Sequence, residues 1–200
     1  MKSFLKWAGG KYSIIETIKE NLPKGKRLVE PFVGSGAVFL NTDYEAYLLA
    51  DANKDLIDLF NTVKKEGISF IDYASYYFDA SFNNEESFYE FRKEFNETLD
   101  MRKKSALFIY LNRHCFNGLC RYNKKGGFNV PFGRYKQPIF PRELLINFYH
   151  KSQSAVFIHA SFEETFNLIQ NDDVVYCDPP YVRLVSIVNT KFNINKMTCI

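Results

Sequence analysis

The sequence lacks the features that mark several broad classes of protein. Its four cysteines, at positions 115, 120, 177 and 199, show no CxxC spacing, so they indicate neither a zinc site nor a disulfide framework. No hydrophobic run is long enough to span a membrane, and the N-terminal segment lacks the apolar core of a signal peptide. We therefore expect a cytoplasmic protein with no bound metal, no membrane association and no obligate protein partner.

Acidic residues are missing from one long segment of the chain. Between Met101 and Arg142 there is no Asp or Glu, and the segment holds ten basic residues. The rest of the chain, with 16 basic and 23 acidic residues, has a net charge of −7. Such asymmetry is expected of a protein that binds the phosphate backbone of a nucleic acid. A solvated basic face is the alternative, although a segment of this length without one acid weakens it.

The most informative motif is Asp178-Pro179-Pro180-Tyr181, which follows the apolar run at 174–177. The run predicts a buried strand, so the motif lies at the carboxyl end of a strand, where ligands bind in open α/β sheets. A carboxylate that faces an exocyclic amino group can free the nitrogen lone pair for methylation, and an aromatic ring can stack on the base. The alternative is a strand that simply ends in a Pro-Pro turn.

A second pattern joins a glycine turn to an acid at the end of a strand. Residues 28–33 predict a strand, Gly34-Ser35-Gly36 predicts a turn that opens a helix over 37–41, and 47–51 predicts a second strand. The glycines let the backbone approach a ligand, and an acid in the place of Asp51 commonly accepts hydrogen bonds from ribose hydroxyls. Because neither GxGxxG nor the P-loop lysine is present, the pattern favours a nucleoside without phosphate, S-adenosylmethionine (AdoMet).

The remaining periodicity predicts an alternation of helices and strands. Helices are predicted at 10–21, 55–65, 142–151 and 162–169, an aromatic-rich helical segment at 67–112, loops and a hairpin at 113–141, and a strand at 155–158. A strand, a glycine turn, a helix and a second strand in this order indicate the opening of a Rossmann-like unit.

Six segments together resemble the DNA adenine methyltransferase (Dam) family, in the motif order of its α group. They are residues 4–11, 28–36, 111–113, 116–123, 128–136 and 178–181. The resemblance implies methyl transfer from AdoMet to adenine N6 in double-stranded DNA, with GATC as the expected target. It implies an α/β fold in which residues 1–57 and 152–200 form a Rossmann-like methyltransferase sheet. Residues 58–151 would be an inserted, mostly helical target-recognition domain.

The resemblance also implies roles for residues around the cofactor and the target base. The N-terminal segment closes the cofactor pocket with its lysine on the methionine carboxylate, the glycine turn wraps the cofactor, and Asp51 holds the ribose. The cofactor-binding set is Trp7, Gly9, Gly10, Lys11, Pro31, Phe32, Gly34, Gly36 and Asp51. The catalytic set is Asp178, Pro179, Pro180 and Tyr181, in which the acid and the first proline's carbonyl accept from the adenine amino group and the tyrosine stacks.

An adenine inside a duplex has to be flipped out before it can react. In the resemblance, Phe116 is the aromatic wedge, Asn117 is the partner of the orphaned base, and Arg121 contacts a guanine edge through two hydrogen bonds. Leu119 packs on a thymine methyl, Lys6 contacts the first guanine, and the other cations bind phosphate. The DNA-binding set is Lys6, Arg113, Phe116, Asn117, Leu119, Arg121, Lys124, Lys125 and Arg134.

The chain departs from the family after Tyr181. Residues 182–200 do not resemble the polar loop, helix and further strands with which the family continues. We therefore expect a sheet truncated at its C-terminus, in which the strand at 174–177 lacks a neighbour on one side. Two alternatives stay open: a catalytically inactive DNA-binding remnant, and a methyltransferase for another amino group, such as cytosine N4 or a glutamine amide. Restriction-modification, repair marking and phage self-protection are all compatible biological roles.

Overall fold

The computed structural model describes residues 1–179 and the backbone of residues 197–199. Five parallel strands form one sheet in the order β3-β2-β1-β4-β5. They are β1 (Arg27–Glu30), β2 (Ala46–Asp51), β3 (Ala155–His159), β4 (Asp173–Cys177) and β5 (Met197–Cys199). The connection direction reverses between β1 and β4, so their carboxyl ends border the crevice in which ligands bind in such sheets. The predicted Rossmann-like α/β fold is confirmed.

The described part of the chain contains seven α-helices, five of which lie between β2 and β3. They are α1 (Ile15–Asn21), α2 (Lys54–Glu66), α3 (Ile68–Ser75), α4 (Glu85–Glu97), α5 (Met101–His114), α6 (Arg142–Ser152) and α7 (Phe162–Phe166). Short 3-10 turns occupy Lys11–Ile14, Phe39–Asn41, Tyr76–Phe78, Ala80–Phe82 and Phe116–Gly118. No helix in this part of the chain has the length and apolar character needed to cross a bilayer.

Side-chain caps define where several helices begin. Asn53, Asn84 and Asp100 each accept a hydrogen bond from a backbone N–H in the first turn of α2, α4 and α5. Ser161 and Glu164 form a reciprocal capping box at the start of α7. Each cap satisfies a backbone donor that the helix itself leaves unpaired, which contributes about 1 kcal/mol.

Two predicted helices are wrong in type or extent. The segment after the glycine turn forms only the 3-10 turn at Phe39–Asn41, because the chain reverses at once to enter β2. The Thr42 hydroxyl donates to the Val38 carbonyl at 3.0 Å and closes this reversal. The helix predicted over 162–169 ends at Phe166, where α7 gives way to turns before β4.

One hydrophobic core joins the sheet to the inserted helices. Phe60 of α2 packs against Phe4, Phe148 of α6 and Phe157 of β3, with ring centroids 6.0, 4.7 and 5.3 Å apart. The same cluster continues through α4 and α5 to Phe128 of the hairpin region. A much smaller cluster covers the opposite face of the sheet, formed by Val29, Leu48, Val175 and Cys177. The insertion therefore shares its interior with one face of the sheet.

The strand β5 pairs in parallel with β4, with Val175 opposite Met197 and Cys177 opposite Cys199. The expectation that β4 lacks a neighbour on this side is therefore wrong. The other residues of the segment that was predicted to depart from the family, 182–196 and 200, lie outside the described residues.

Candidate active site and nucleic-acid interface

A cleft of about 600 Å³ opens at the carboxyl ends of β1, β2 and β4. This volume lies within the range of small-molecule sites. Most of the predicted cofactor and catalytic residues line it: Trp7, Gly9, Gly10, Lys11, Phe32, Gly34, Asp51, Asp178 and Pro179. Pro31 and Gly36 are buried and do not line it. The catalytic residues predicted at Pro180 and Tyr181 lie outside the described residues.

Asp51 fixes the glycine turn at the end of β1. Its carboxylate accepts hydrogen bonds from the backbone N–H of Gly34 at 3.0 Å and of Asn53 at 2.9 Å. Gly34 has a φ of +48°, and a Cβ there would lie 2.9 Å from Nε1 of Trp7, so the indole packs directly against the turn. Burial raises the pKa of Asp51, while these backbone hydrogen bonds oppose the shift.

An ion pair joins two residues for which the sequence predicts different partners. Nζ of Lys11 lies 2.6 Å from Oδ2 of Asp178, and the two side chains are 17% and 20% exposed. The lysine also donates to the Gly9 carbonyl at 3.2 Å. The predicted ligand of the cofactor carboxylate thus contacts the predicted acceptor of the target amino group.

Glu30 is a cleft residue that the sequence reasoning missed. Its side chain is 2% exposed, and its Oε1 atom has no hydrogen-bond partner among the described residues. Burial raises the pKa of Glu30 to about 8; a hydrogen bond from the Phe39 backbone lowers it and the nearby Asp178 raises it further. The carboxyl group is therefore largely protonated at neutral pH. An acid that ends a buried strand beside a glycine turn was the available signal.

The predicted wedge and its neighbours form a tight turn next to Lys6. Phe116 is 50% exposed, so it is not a core residue. Asn117 has a φ of +54°, and its N–H donates to the Tyr135 hydroxyl at 2.9 Å. Nζ of Lys6 lies 4.2 Å from the centroid of the same tyrosine ring. Tyr135, to which the sequence assigned no role, therefore joins two predicted DNA contacts.

Asn112 of α5 connects this turn to the N-terminal segment through hydrogen bonds. Its Oδ1 accepts from the Lys6 N–H at 2.8 Å, and its Nδ2 donates to the carbonyls of Lys6 at 2.8 Å and Gly118 at 3.2 Å. The side chain is 2% exposed. Residues 111–113 are among the segments that resemble the family, but a structural role for this amide required the folded arrangement.

The hairpin region presents the other predicted DNA contacts. Nε of Arg121 donates to Oδ1 of Asn129 at 2.9 Å, and its Nη2 donates to the Asn129 carbonyl at 3.3 Å, which orients the guanidinium. Lys124 and Lys125 are exposed at the tip, and Leu119 packs partly against the core. Arg113 is set back from these residues: burial lowers its pKa, and its Nε has no partner within residues 1–179.

The folded structure leaves a smaller basic surface than the sequence indicates. Five of the ten cations in the acid-free segment form ion pairs with acids from elsewhere in the chain. These pairs are Arg102–Glu66, Lys103–Glu94, Lys104–Asp55, Arg134–Glu85 and Arg142–Asp72. The other five cations, at positions 113, 121, 124, 125 and 136, fall between the end of α5 and the end of the hairpin region.

The geometry of the cleft agrees with the family to which the chain is similar. The model of the D12 class N6 adenine-specific DNA methyltransferase family matches residues 7–194. The DNA adenine methylase of Vibrio cholerae serotype O1 is 54% identical over 188 residues, which cover 94% of this chain and 68% of the relative. Those of Serratia marcescens and Escherichia coli strain K12 are 50% identical over 198 residues, which cover 98% of this chain and 73% and 71% of the relatives. The chain belongs to the family of D12 class N6 adenine-specific DNA methyltransferases, enzymes that methylate adenine in DNA.

Proposed function

We propose that this chain transfers a methyl group from AdoMet to adenine N6 in double-stranded GATC sequences, after flipping the adenine out of the helix. The observation that carries the proposal is the cleft at the ends of β1, β2 and β4. There the acid that follows β4 shares one cavity with a glycine turn and with a strand-end carboxylate.

The residues of the cleft fit AdoMet. Asp51 and Lys11 both line the cleft. In this proposal Asp51 accepts hydrogen bonds from ribose hydroxyls, and Lys11 carries the charge that a methionine carboxylate requires. The unpartnered Oε1 of Glu30 supplies a further polar contact for a zwitterionic ligand in the same cavity. When bound, AdoMet supplies an electrophilic methyl group on a positively charged sulfur.

Asp178 and the Pro179 carbonyl hold the amino group of the flipped adenine. Two acceptors that face the amino hydrogens draw the nitrogen toward tetrahedral geometry, which releases its lone pair from the ring. Tyr181 completes the site by stacking on the base. The chain needs no general base for this chemistry, because the amino proton leaves late, to water.

Phe116 and Asn117 replace the flipped base, and Lys6, Leu119 and Arg121 contact its neighbours. The exposure of Phe116 and the fixed orientation of Arg121 support these roles. Lys124, Lys125 and Arg134 contribute phosphate contacts at the hairpin, with Arg113 set further back.

Transfer of radiolabelled methyl from AdoMet to a duplex with one GATC tests the proposal. Label should enter this duplex, but neither a fully N6-methylated copy nor a copy with GTTC in place of GATC. The product should become sensitive to an endonuclease that requires methylated adenine. Asp178→Ala should lower the rate by at least about 100-fold, as expected when a directed acceptor is lost. Retained DNA binding without label in the wild type would instead identify a non-catalytic remnant, and label on cytosine would contradict the target.

A further inference from the structure

We propose that Asp178 and the cofactor carboxylate compete for Lys11, so that the acceptor of the target amino group becomes available only when the carboxylate has taken the lysine. This inference rests on the proposed function and adds an order to it: the cofactor enters before the target base docks. The lysine then acts as a link between the two binding sites.

The contact between the two side chains is close and largely shielded from solvent. Nζ of Lys11 lies 2.6 Å from Oδ2 of Asp178, and each side chain is about one-fifth exposed or less. An ion pair of this kind is screened by salt less than one at the surface. The Gly9 carbonyl takes a further hydrogen bond from the same ammonium at 3.2 Å. The ammonium group that pairs with Asp178 is therefore also held by the backbone.

The other carboxyl groups of the cleft do not relieve the competition. Glu30 lies near Asp178, and its buried carboxyl group is largely protonated at neutral pH. Asp51 is engaged with the backbone N–H groups of Gly34 and Asn53. Among the described residues that line the cleft, Lys11 is the only lysine or arginine. A cofactor carboxylate that enters this cavity must therefore share Lys11 with Asp178 or displace Asp178 from it.

The exchange has a consequence for the target base. Asp178 bound to Lys11 offers its Oδ2 atom to an ammonium group instead of an adenine amino group. Once Lys11 turns to another carboxylate, Asp178 loses this donor, and its oxygen atoms are left to accept from other N–H groups. A flipped adenine supplies those groups. The base is thus held firmly only in an enzyme that is ready to methylate it.

The competition can be measured by binding alone. Calorimetric titration with S-adenosylhomocysteine, which has the carboxylate, is compared with 5′-methylthioadenosine, which lacks the whole amino-acid part. Asp178→Asn removes the competitor and should tighten S-adenosylhomocysteine binding about two- to fivefold, the range of a partly exposed ion pair. Binding of 5′-methylthioadenosine should not change. Lys11→Met should weaken S-adenosylhomocysteine binding, and Asp178→Asn should then have no further effect.

Each outcome separates the competition from the proposed function. If Asp178→Asn leaves S-adenosylhomocysteine binding unchanged or weaker while the wild type binds it, the competition is refuted and the cofactor site stands. If the gain persists in the Lys11→Met background, Asp178 acts through another group and the inference fails. If the folded wild type binds neither ligand, the proposed function itself fails. Far-UV circular dichroism of each variant confirms that it is folded, and Lys11→Arg should retain the coupling.

Discussion

Glu30 places a carboxyl group in an apolar environment at the end of β1, where it is 2% exposed. Because its pKa is raised to about 8, the folded protein binds this proton more tightly than the unfolded chain does. The resulting stabilisation is present in full below the ordinary glutamate pKa and is lost as the pH rises through about 8. A buried carboxyl group in the cleft therefore makes the fold sensitive to alkali.

Glu30→Gln should remove much of this pH dependence. Between pH 6.5 and 8.5 the wild type should lose free energy of unfolding by up to about 1.4 kcal/mol per pH unit, and the variant should lose less. Urea denaturation followed by circular dichroism measures both slopes. His114, whose pKa burial lowers to about 4, is present in both proteins, so the difference between the two slopes isolates Glu30. Equal slopes in the two proteins would show that Glu30 does not carry the effect.

The turn at Phe116–Gly118 is positioned by close packing against Lys6 and by the side-chain amide of Asn112. Gly118 has a φ of +62°, and a Cβ there would lie 2.3 Å from Cβ of Lys6. The backbone of the turn thus packs directly against the Lys6 side chain. Asn112 fastens both segments from the α5 side. The predicted DNA contacts at Lys6 and Asn117 are therefore set by one local arrangement.

Gly118→Ala should separate the turn from Lys6, and Gly126→Ala is its matched control. Both glycines have positive φ, but nothing lies within 4 Å of a Cβ at Gly126. The control should lose only about 1 kcal/mol of stability through backbone strain. Gly118→Ala should also lower the preference for GATC over single-base variants of the site, as measured by competitive methylation. Similar preferences in the two variants would refute a role of this close approach in recognition.

Arg121→Ala and the double change Lys124→Ala, Lys125→Ala should affect DNA binding in different ways. Asn129 orients the arginine. In the role that we propose, the arginine makes two hydrogen bonds to a guanine edge, so its loss should reduce discrimination at one position by about 10- to 100-fold. Loss of the two lysines should weaken binding to all sequences and lower the slope of log K against log salt by about two. Fluorescence anisotropy over a series of salt concentrations distinguishes them; uniform weakening by Arg121→Ala would contradict its role.

At the scale of the whole molecule, the sheet and the inserted helices are one unit because they share a core. Phe60 and Phe148 of the insertion pack on Phe4 and on Phe157 of the sheet, and α2 connects this cluster to α5. The inserted helices are therefore supported by the same packing that supports the cleft.

Heat or urea should unfold both regions in a single transition. The only tryptophan of the sequence, Trp7, packs against the glycine turn and reports on the cleft, whereas far-UV circular dichroism reports mainly on the helices of the insertion. The two signals should give the same midpoint within error. Two separated midpoints would show that the insertion and the sheet unfold independently.

The sequence predicts the elements that local pattern determines and misses those that depend on packing. The apolar runs of β1, β2 and β4 and the glycine turn identify the sheet and the cleft. Half of the cations in the acid-free segment form ion pairs, and most of these pairs join residues far apart in sequence, such as Arg102 and Glu66. The buried contacts of Glu30 and Asn112 likewise arise only when the segments meet. The short turn at Phe39–Asn41 was missed because helical propensity does not reveal where a chain must reverse.

The long insertion between β2 and β3 has a consequence for biosynthesis. Arg27 of β1 lies beside Asp173 of β4, 146 positions further along the chain. During synthesis, β1 and β2 therefore remain without their neighbours β4 and β3 until almost all of the described residues have been translated. Pairings of such long sequence separation form slowly and leave strand edges open to association with other chains. Slow synthesis at low temperature, or chaperone capture of the emerging chain, should thus raise the yield of soluble protein.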